Sequence, residues 1–463
     1  MDFIVSYLLV SDSVSGKNNV PKTFQAITMA AGLEVCDFFG HFINVTKAEP
    51  VLSTFRTYHT KYTEFHGHLC VFICSIGIVG NAINVIVLSD RRMQSSVNVV
   101  LTGIAVSDFI TMASYLLFAS AFYVAHDEPT TYGWMVFIQI HQLLTGIFHS
   151  LSLWLSALVA FVRYMILKNH GQSSPWLKTT WTRNLVVGAT VVVSLLCAPF
   201  PVVYQIKRDV RNQNTNRSSY TTDLSETALA NDCLLLRITV WSHGVLLKLV
   251  PCVVLMILIS CLICILKQAD KRSQRLLSKS VTKPKSSHRR TDRTTILLLA
   301  IASTTLATEI PQSVVSILFS IYPTDVAYYI YPVTVNFIDL LGLLNSAINF
   351  FLYCFMSTKY RHTFCHIILP DRLYARWCSA SGDDVTRLDE SRVLVRRRKN
   401  RRTQQTSLTT NDSWHYNCTE TSTGINSKNH ALVITNNAVD DTEHQNSTLP
   451  LLNSAKNNRG TSP

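Results

Sequence analysis

The stretch that decides the fold is MVFIQIHQLLTGIFHSLSLWLSALVAFV, residues 135–162, which contains no Asp, Glu, Lys or Arg. As an α-helix its 28 residues would be about 42 Å long, at ~1.5 Å per residue. The hydrocarbon core of a bilayer is roughly 30 Å thick, so one such helix can cross it. The stretch therefore predicts a membrane-spanning helix.

Six further stretches on either side are long and apolar in the same way. They are residues 69–89, 97–124, 184–206, 249–266, 294–322 and 327–357. Three of the six carry one acidic residue each: Asp108, Glu309 and Asp339. Buried helices of a soluble protein can explain one or two such runs, but not seven in series. The pattern predicts an all-α membrane protein, a bundle of seven transmembrane helices.

The composition agrees with this interpretation. Only 15% of the 463 residues are charged, against roughly a quarter in soluble domains, and 48% are hydrophobic. The sequence also lacks the Gly-x-Ser-x-Gly and His-Glu-x-x-His motifs of hydrolases. We therefore expect no enzymatic activity.

Basic residues in the connections predict the orientation, because Lys and Arg resist transfer across the membrane. The connection after the fifth stretch holds ten Lys or Arg between Lys267 and Arg293, and the one after the first holds Arg91 and Arg92. Those after the second and sixth hold none. The amino terminus should lie outside and the carboxyl tail inside, in a multi-pass plasma-membrane protein. The net charge of +13 then indicates contact with anionic lipid rather than with nucleic acid.

These features divide the chain into three parts. Residues 1–67 are predicted to form an extracellular segment, and residues 68–369 the seven-helix domain with a short amphipathic eighth helix around Lys359-Tyr360-Arg361. Residues 370–463 are hydrophilic and poor in aromatic residues, which is typical of a disordered cytoplasmic tail.

The outer segments contain candidate modification sites. Asn44-Val45-Thr46 and Asn216-Arg217-Ser218 match the acceptor pattern for N-glycosylation, so Asn44 and Asn216 are predicted glycosylation sites. Cys36, Cys70 and Cys233 lie on or near the outer face. Cys233 could pair with Cys36, pair with Cys70, or stay free. An odd number leaves at least one of the three unpaired.

Several short motifs follow one another along the seven stretches. They are Gly80-Asn81, Ala105-Val106-Ser107-Asp108, Arg163-Tyr164, Pro251, Pro311 and Asn349 to Tyr353. Their order and spacing over residues 68–369 resemble the rhodopsin-like G-protein-coupled receptors. Thr308-Glu309-Ile310-Pro311-Gln312, Lys248-Leu249-Val250-Pro251-Cys252 and Ser152-Leu153-Trp154-Leu155 are similar to the invertebrate myosuppressin and FMRFamide-like peptide receptors, relatives of the sex-peptide receptor.

The resemblance implies an extracellular peptide ligand, ending in Arg-Phe-amide, and a heterotrimeric G protein of the inhibitory class as a partner. Arrestin and a receptor kinase are further candidate partners, because the tail contains the Ser/Thr cluster Thr403, Thr406, Ser407, Thr409 and Thr410; the alternative is an unmodified linker. The ligand guanidinium needs a carboxylate, from Glu309 or Asp339 in the bundle or Asp232 at the rim. His141, Trp241 and Tyr331 are the candidates for contact with the phenyl ring and amide.

Intramembrane acids are energetically unfavourable, by roughly 2.5–3.5 kcal/mol each, and normally face the bundle interior with a partner. Asp108 has four candidate partners: Asn81, Ser152, Asn345 and Asn349. Oxygen atoms are the ligands that hard cations prefer, and a sodium ion could be held by Asp108, Ser152, Asn345 and Asn349. Glu309 could either face the ligand or join this ion site. No other cofactor is expected. The alternative is that these polar groups only hold helices together.

The resemblance also implies switch residues on the inner side. They are Arg163, Tyr164, Pro311, Asn349 and Tyr353. The chain departs from the family pattern at three positions: Val162 stands where an acid usually pairs with the arginine, Phe350 where a proline usually follows Asn349, and Ile259 where a tyrosine is common.

Two other functions remain open. A receptor for a small chemosensory molecule would share the seven stretches. A secondary transporter would also contain intramembrane acids, although it usually shows two repeated halves.

Overall fold

The computed structural model describes residues 36, 40–43, 45–124, 131–169, 178–209, 219–277 and 286–368. The chain divides into two units, residues 1–382 and 383–463, and all the described residues belong to the first. The predicted tail, 370–463, therefore lies outside the described residues, as do the predicted glycosylation sites Asn44 and Asn216.

Seven helical spans are long and apolar enough to cross a membrane, which confirms the seven predicted. Spans 1 to 7 are Phe65–Ser89, Ser96–Val124, Tyr132–Lys168, Thr179–Val203, Glu226–Ala269, Thr295–Ile321 and Pro323–Phe355. We call the end of the bundle near residues 41–43 the outer end, and the opposite end the inner end.

Side-chain caps explain where several helices begin. Ser95, Thr131 and Ser225 precede the helices Ser96–Ala119, Tyr132–Lys168 and Glu226–Trp241, and each hydroxyl accepts a backbone N–H three residues on. Such caps satisfy N–H groups that a helix start leaves without an intrahelical partner.

The first helix is longer than the sequence predicts. It runs over Val45–Ser89, so the last third of the predicted extracellular segment 1–67 is helical. This part is polar enough to escape a search for apolar stretches, because only its continuation from Phe65 has the composition of a span.

The fourth and fifth spans differ from the predicted boundaries. The fourth helix, Thr179–Cys197, ends just before Pro199, and a short helix Phe200–Val203 follows. The strands Tyr204–Asp209 and Ser219–Leu224 then pair antiparallel, with Tyr204 opposite Leu224. The connection between the predicted stretches 184–206 and 249–266 therefore contains these two strands and the start of span 5.

Span 5 begins at Glu226 instead of residue 249. It joins the helix Glu226–Trp241, a π-helical segment Ser242–Leu249 and the helix Val250–Leu277. Lys248, which directly precedes the predicted stretch 249–266, therefore lies well inside a membrane span. The sixth helix, Ser286–Ile321, likewise extends beyond its span, which begins at Thr295.

Spans 1 and 7 approach closely at Gly80. A Cβ atom added there would lie 2.9 Å from the Cβ of Phe350. Phe350, in place of the usual proline, keeps the helix Tyr331–Met356 continuous because its backbone N–H is retained.

The predicted eighth helix is present as Thr358–Ile368. Its Tyr360 is fully buried, stacks on Tyr353 with 5.5 Å between ring centroids, and donates a hydrogen bond to Asn84 Oδ1 at 2.7 Å. These contacts join the eighth helix to spans 1 and 7.

Candidate functional site

A buried ion pair lies at the centre of the bundle. Lys248 Nζ donates to Glu309 Oε2 at 3.2 Å, and both residues are 1% exposed. His149 Nε2 lies 3.1 Å from the other carboxylate oxygen and 3.1 Å from Gln312 Oε1. Spans 3, 5 and 6 are thus held together by one polar cluster, which we call the central cluster.

The sequence analysis missed Lys248 and His149. Lys248 interrupts what would otherwise be one uncharged run over residues 238–266, and that isolated charge was the available signal. Glu309 points inward as predicted, but it does not join the cluster around Asp108. Its two carboxylate oxygens contact Lys248 and His149 rather than the residues around Asp108.

A second polar cluster surrounds Asp108 in span 2, which is also buried. Ser152 and Ser346 donate to Asp108 Oδ1 at 2.9 and 3.1 Å, and Asn349 Nδ2 donates to Oδ2 at 3.0 Å. The inward orientation and the partners Ser152 and Asn349 are as predicted, and Ser346 was missed.

Two of the predicted partners of Asp108 are wrong. Asn81 Nδ2 donates to the backbone oxygen of Ser346 at 3.0 Å instead. Asn345 makes no hydrogen bond to Asp108, because adjacent helical residues point about 100° apart and Ser346 takes that place.

The donor set around Asp108 fits a hard cation. It offers a carboxylate, the hydroxyls of Ser152 and Ser346, and the amide oxygen of Asn349, which is buried and has no hydrogen-bond partner among the described residues. Oxygen ligands of these kinds suit sodium.

A cavity opens above the central cluster. We call it the Asp339 cavity; it holds about 470 Å³ of empty space, counting the part that opens to solvent. Tyr115, His141, Gln142, His149, Gln312 and Asp339 are among its lining residues. Tyr115 donates to Asp339 Oδ2 at 3.0 Å, and His141 Nδ1 lies 2.6 Å from Ser114 Oγ.

The Asp339 cavity unites only part of the predicted ligand site. Asp339 and His141 line it, whereas Tyr331 is buried in the outer hydrophobic cluster and is not in the cavity wall. Trp241 is 41% exposed on the outside of the bundle. Asp232 is exposed in a kink at Asn231–Cys233, where three consecutive residues have positive φ.

Residues 68–370, about two thirds of the chain, match the family described as serpentine type 7TM GPCR chemoreceptor Srw. The chain belongs to this family of seven-transmembrane G-protein-coupled receptors. Family membership makes the protein a multi-pass membrane receptor with an extracellular ligand and a G protein as partners. It is not an enzyme, and the transporter alternative is wrong.

Relatives include two other receptors. The receptor is 29% identical to the G-protein coupled receptor dmsr-1 of Caenorhabditis elegans over 72% of its own chain and 73% of the relative. It is 24% identical to the Sex peptide receptor of Drosophila melanogaster, over 67% and 74% of the two chains.

The predicted switch residues lie in different surroundings. Arg163 Nε is buried and has no hydrogen-bond partner among the described residues, as expected with Val162 beside it. Tyr164 packs against the cluster of spans 3, 5 and 6 that contains Ile259. Pro311 lies within a continuous helix, and Tyr353 is buried against Tyr360.

At the outer end, the amino-terminal segment is attached twice. Cys36 and Cys233 form a disulfide, which decides between the predicted pairings and leaves Cys70 as a buried free thiol. The second attachment is Asp325, fully buried, whose Oδ2 accepts the backbone N–H groups of Phe42 and Ile43 at 2.7 and 2.9 Å.

Proposed function

We propose that the receptor binds an extracellular peptide ending in Arg-Phe-amide and activates an inhibitory-class G protein from the plasma membrane, with its amino terminus outside. The similarity to a receptor named for a peptide ligand supports the peptide class. The observation that carries the proposal is that Asp339, an acidic side chain at the middle of span 7, lines a cavity together with His141.

Of the two intramembrane carboxylates considered for the ligand, Asp339 is the better candidate. Glu309 is neutralised by Lys248 at 3.2 Å, so a ligand guanidinium would have to displace that ammonium. Asp339 lies in the cavity wall, where its carboxylate can accept the two parallel N–H groups of an arginine. The phenyl ring and amide of the ligand would lie nearby.

The test is a signalling assay on cells that express the full receptor, challenged with a panel of amidated Arg-Phe peptides. Asp339→Asn should lower the potency of the responding peptide about 10- to 100-fold, since hydrogen bonds to charged groups contribute about 1.5–3 kcal/mol. The same variant should change little for a peptide carrying neutral citrulline in place of arginine. Equal losses for both peptides would contradict the role of Asp339, and silence across the panel would overturn the peptide class.

The G-protein class needs a separate readout. Pertussis toxin, which inactivates inhibitory G proteins, should abolish the response. A response that survives the toxin would remove the inhibitory class from the proposal and leave the peptide ligand in place.

We propose that sodium binds at Asp108 and favours the inactive receptor. The buried carboxylate, the two hydroxyls and the unpartnered amide oxygen of Asn349 support this role. When bound, the ion would neutralise the Asp108 carboxylate in the middle of the bundle. Agonist affinity should fall as sodium replaces choline in the buffer, and Asp108→Asn should remove that dependence. An unchanged dependence would make the cluster purely structural.

Outside the described residues, three further sites belong to the proposal. Asn44 and Asn216 are proposed glycosylation sites, the Ser/Thr-rich residues 403–410 a kinase and arrestin site, and the basic residues 396–402 a contact with anionic lipid.

A small chemosensory ligand is the second candidate. The family that the chain matches is described as one of chemoreceptors, and the Asp339 cavity places a carboxylate where a small cationic ligand could bind. Activation by a small amine, lost in Asp339→Asn, would favour it over the peptide.

A further inference from the structure

A second cavity lies at the outer end between spans 4, 5 and 6, apart from the Asp339 cavity. It holds about 380 Å³ of empty space, again counting the part that opens to solvent. Its walls include Phe200, Tyr204, Leu236, His243, Ser316 and Phe319. None of these residues lines the Asp339 cavity, so the two are distinct spaces.

Two buried hydroxyl groups in this wall lack hydrogen bonds. Tyr204 Oη and Ser316 Oγ have no partner among the described residues, although the side chains are only 7% and 2% exposed. Burying a hydroxyl without a hydrogen bond destabilises a folded protein, and native structures rarely do it without a reason. Burial also raises the pKa of Tyr204, which keeps its phenol protonated and able to donate.

The local backbone favours a binding site as well. The π-helical segment Ser242–Leu249 lies beside the cavity and brings span 5 close to span 6. A Cβ added at Gly244 would lie 2.6 Å from Ser320 Oγ and 3.2 Å from the backbone oxygen of Ser316. Single π-helical turns inside α-helices are frequent at functional sites.

We propose that this second cavity is a subsite for an aromatic ring of the ligand that carries a neutral amide, the end of a peptide terminating in phenylalanine amide. The three aromatic walls suit a phenyl ring. No lining residue is Asp, Glu, Lys or Arg, which favours a neutral amide over a terminal carboxylate. The amide can accept from the Tyr204 phenol and donate to the Ser316 hydroxyl. The assignment of this ring to the peptide ligand rests on the proposed function above.

The two cavities are close enough for one peptide. Gln312 lines the Asp339 cavity and Ser316 lines the second cavity, four residues apart on the same helix. Four residues correspond to a rise of about 6 Å. An arginine side chain directed to Asp339 and the following ring in the second cavity can therefore belong to adjacent ligand residues.

The test uses purified full-length receptor and two probes, N-acetylphenylalaninamide and the synthetic tetrapeptide Phe-Met-Arg-Phe-amide. Tyr204→Phe and Ser316→Ala each delete one hydroxyl. Each should weaken binding of both probes about 3- to 10-fold, the effect of one neutral hydrogen bond. Without probe, neither variant should lower the thermal midpoint, because neither hydroxyl makes a hydrogen bond in the structure.

Matched controls are available on exposed positions. Tyr132→Phe and Ser260→Ala remove the same groups where the side chains are exposed, and both should leave probe binding unchanged. N-acetylphenylalanine, whose carboxylate replaces the amide, should bind more weakly than N-acetylphenylalaninamide.

The outcomes separate the subsite from the proposed function. Unchanged probe affinity in both Tyr204→Phe and Ser316→Ala overturns the subsite, whatever the signalling assay shows. Equal affinity for the amide and for a plain hydrocarbon probe also overturns it and assigns the cavity to a lipid chain. Binding of N-acetylphenylalaninamide that depends on both hydroxyls, in a receptor silent to every amidated peptide, would support the subsite and overturn the proposed function.

Discussion

The ion pair of Lys248 and Glu309 gives a quantitative prediction, because both side chains are almost fully buried and solvent screening is weak. Removing one member of such a pair leaves an uncompensated buried charge and destabilises the protein by about 3–5 kcal/mol, whereas replacing both with apolar residues is often neutral. Glu309→Leu, which leaves Lys248 without its carboxylate at 3.2 Å, should show the full effect.

The structure also predicts an asymmetry between the two single variants. In Lys248→Met, Glu309 keeps His149 at 3.1 Å, and a protonated imidazole can replace the lost ammonium. Lys248→Met should therefore be less destabilised than Glu309→Leu. The double variant Lys248→Met/Glu309→Leu should recover most of the loss.

The assay is the free energy of unfolding of purified receptor, obtained by titration with sodium dodecyl sulfate in mixed micelles. Coupling is the amount by which the two single losses together exceed the double loss. Strictly additive losses would refute the reasoning, since they would mean that the two charges do not interact. The exposed basic residue Lys178, changed to Met, is the control and should have almost no effect.

The remaining predictions concern helix contacts and pH. Gly80→Ala should destabilise the receptor by about 1–3 kcal/mol, because the new Cβ meets the Cβ of Phe350 at 2.9 Å and that atom cannot rotate away. In Gly77→Ala the new Cβ meets the flexible end of the Met112 side chain, so the added substitution Met112→Ala should reduce the destabilisation caused by Gly77→Ala. If the same unfolding assay shows no such reduction, the contact is contradicted. Tyr360→Phe should lose about 1 kcal/mol with its hydrogen bond to Asn84 and loosen the eighth helix, detectable as faster amide hydrogen exchange over Thr358–Ile368. Burial lowers the pKa of His59 below its ordinary 6.5, so the unfolded chain takes up a proton more readily than the folded receptor. The contribution of neutral His59 to stability is present above pH 6.5 and is lost as the pH falls below it. In His59→Gln the free energy of unfolding should therefore decrease less steeply as the pH is lowered.

The seven spans could be predicted because the thickness of a bilayer sets a minimum length for an uncharged run. Span 5 was misjudged for the same reason: Lys248 cut its apolar run, and only a buried partner 61 residues away explains why a charge is tolerated there. Which residues meet across helices depends on rotation and register, which are absent from a linear pattern.

The site shows the same limit. Asp108, Ser152 and Asn349 could be identified as a polar cluster, but Asn345 was chosen where Ser346 makes the contact, an error of one residue. Asp339 could be identified from the sequence as an intramembrane acid. The hydrogen bond that it accepts from Tyr115 in span 2 could be identified only from the structure. The attachment of the amino-terminal segment to Asp325 carried no local signal, because two of the partners are backbone N–H groups and the third, the His41 side chain, lies 284 residues away in the sequence.

That attachment affects how freely the segment can evolve. The Asp325 carboxylate accepts hydrogen bonds from the backbone N–H groups of Phe42 and Ile43. Every residue type except proline has this backbone N–H group. Ile43 can therefore be exchanged for almost any residue except proline without loss of its own hydrogen bond to Asp325. Cys36, which forms the disulfide, and His41, whose Nδ1 lies 2.5 Å from Asp325 Oδ1, are attached through their side chains. Sequence change in this segment is therefore constrained at those two positions and much less at Ile43.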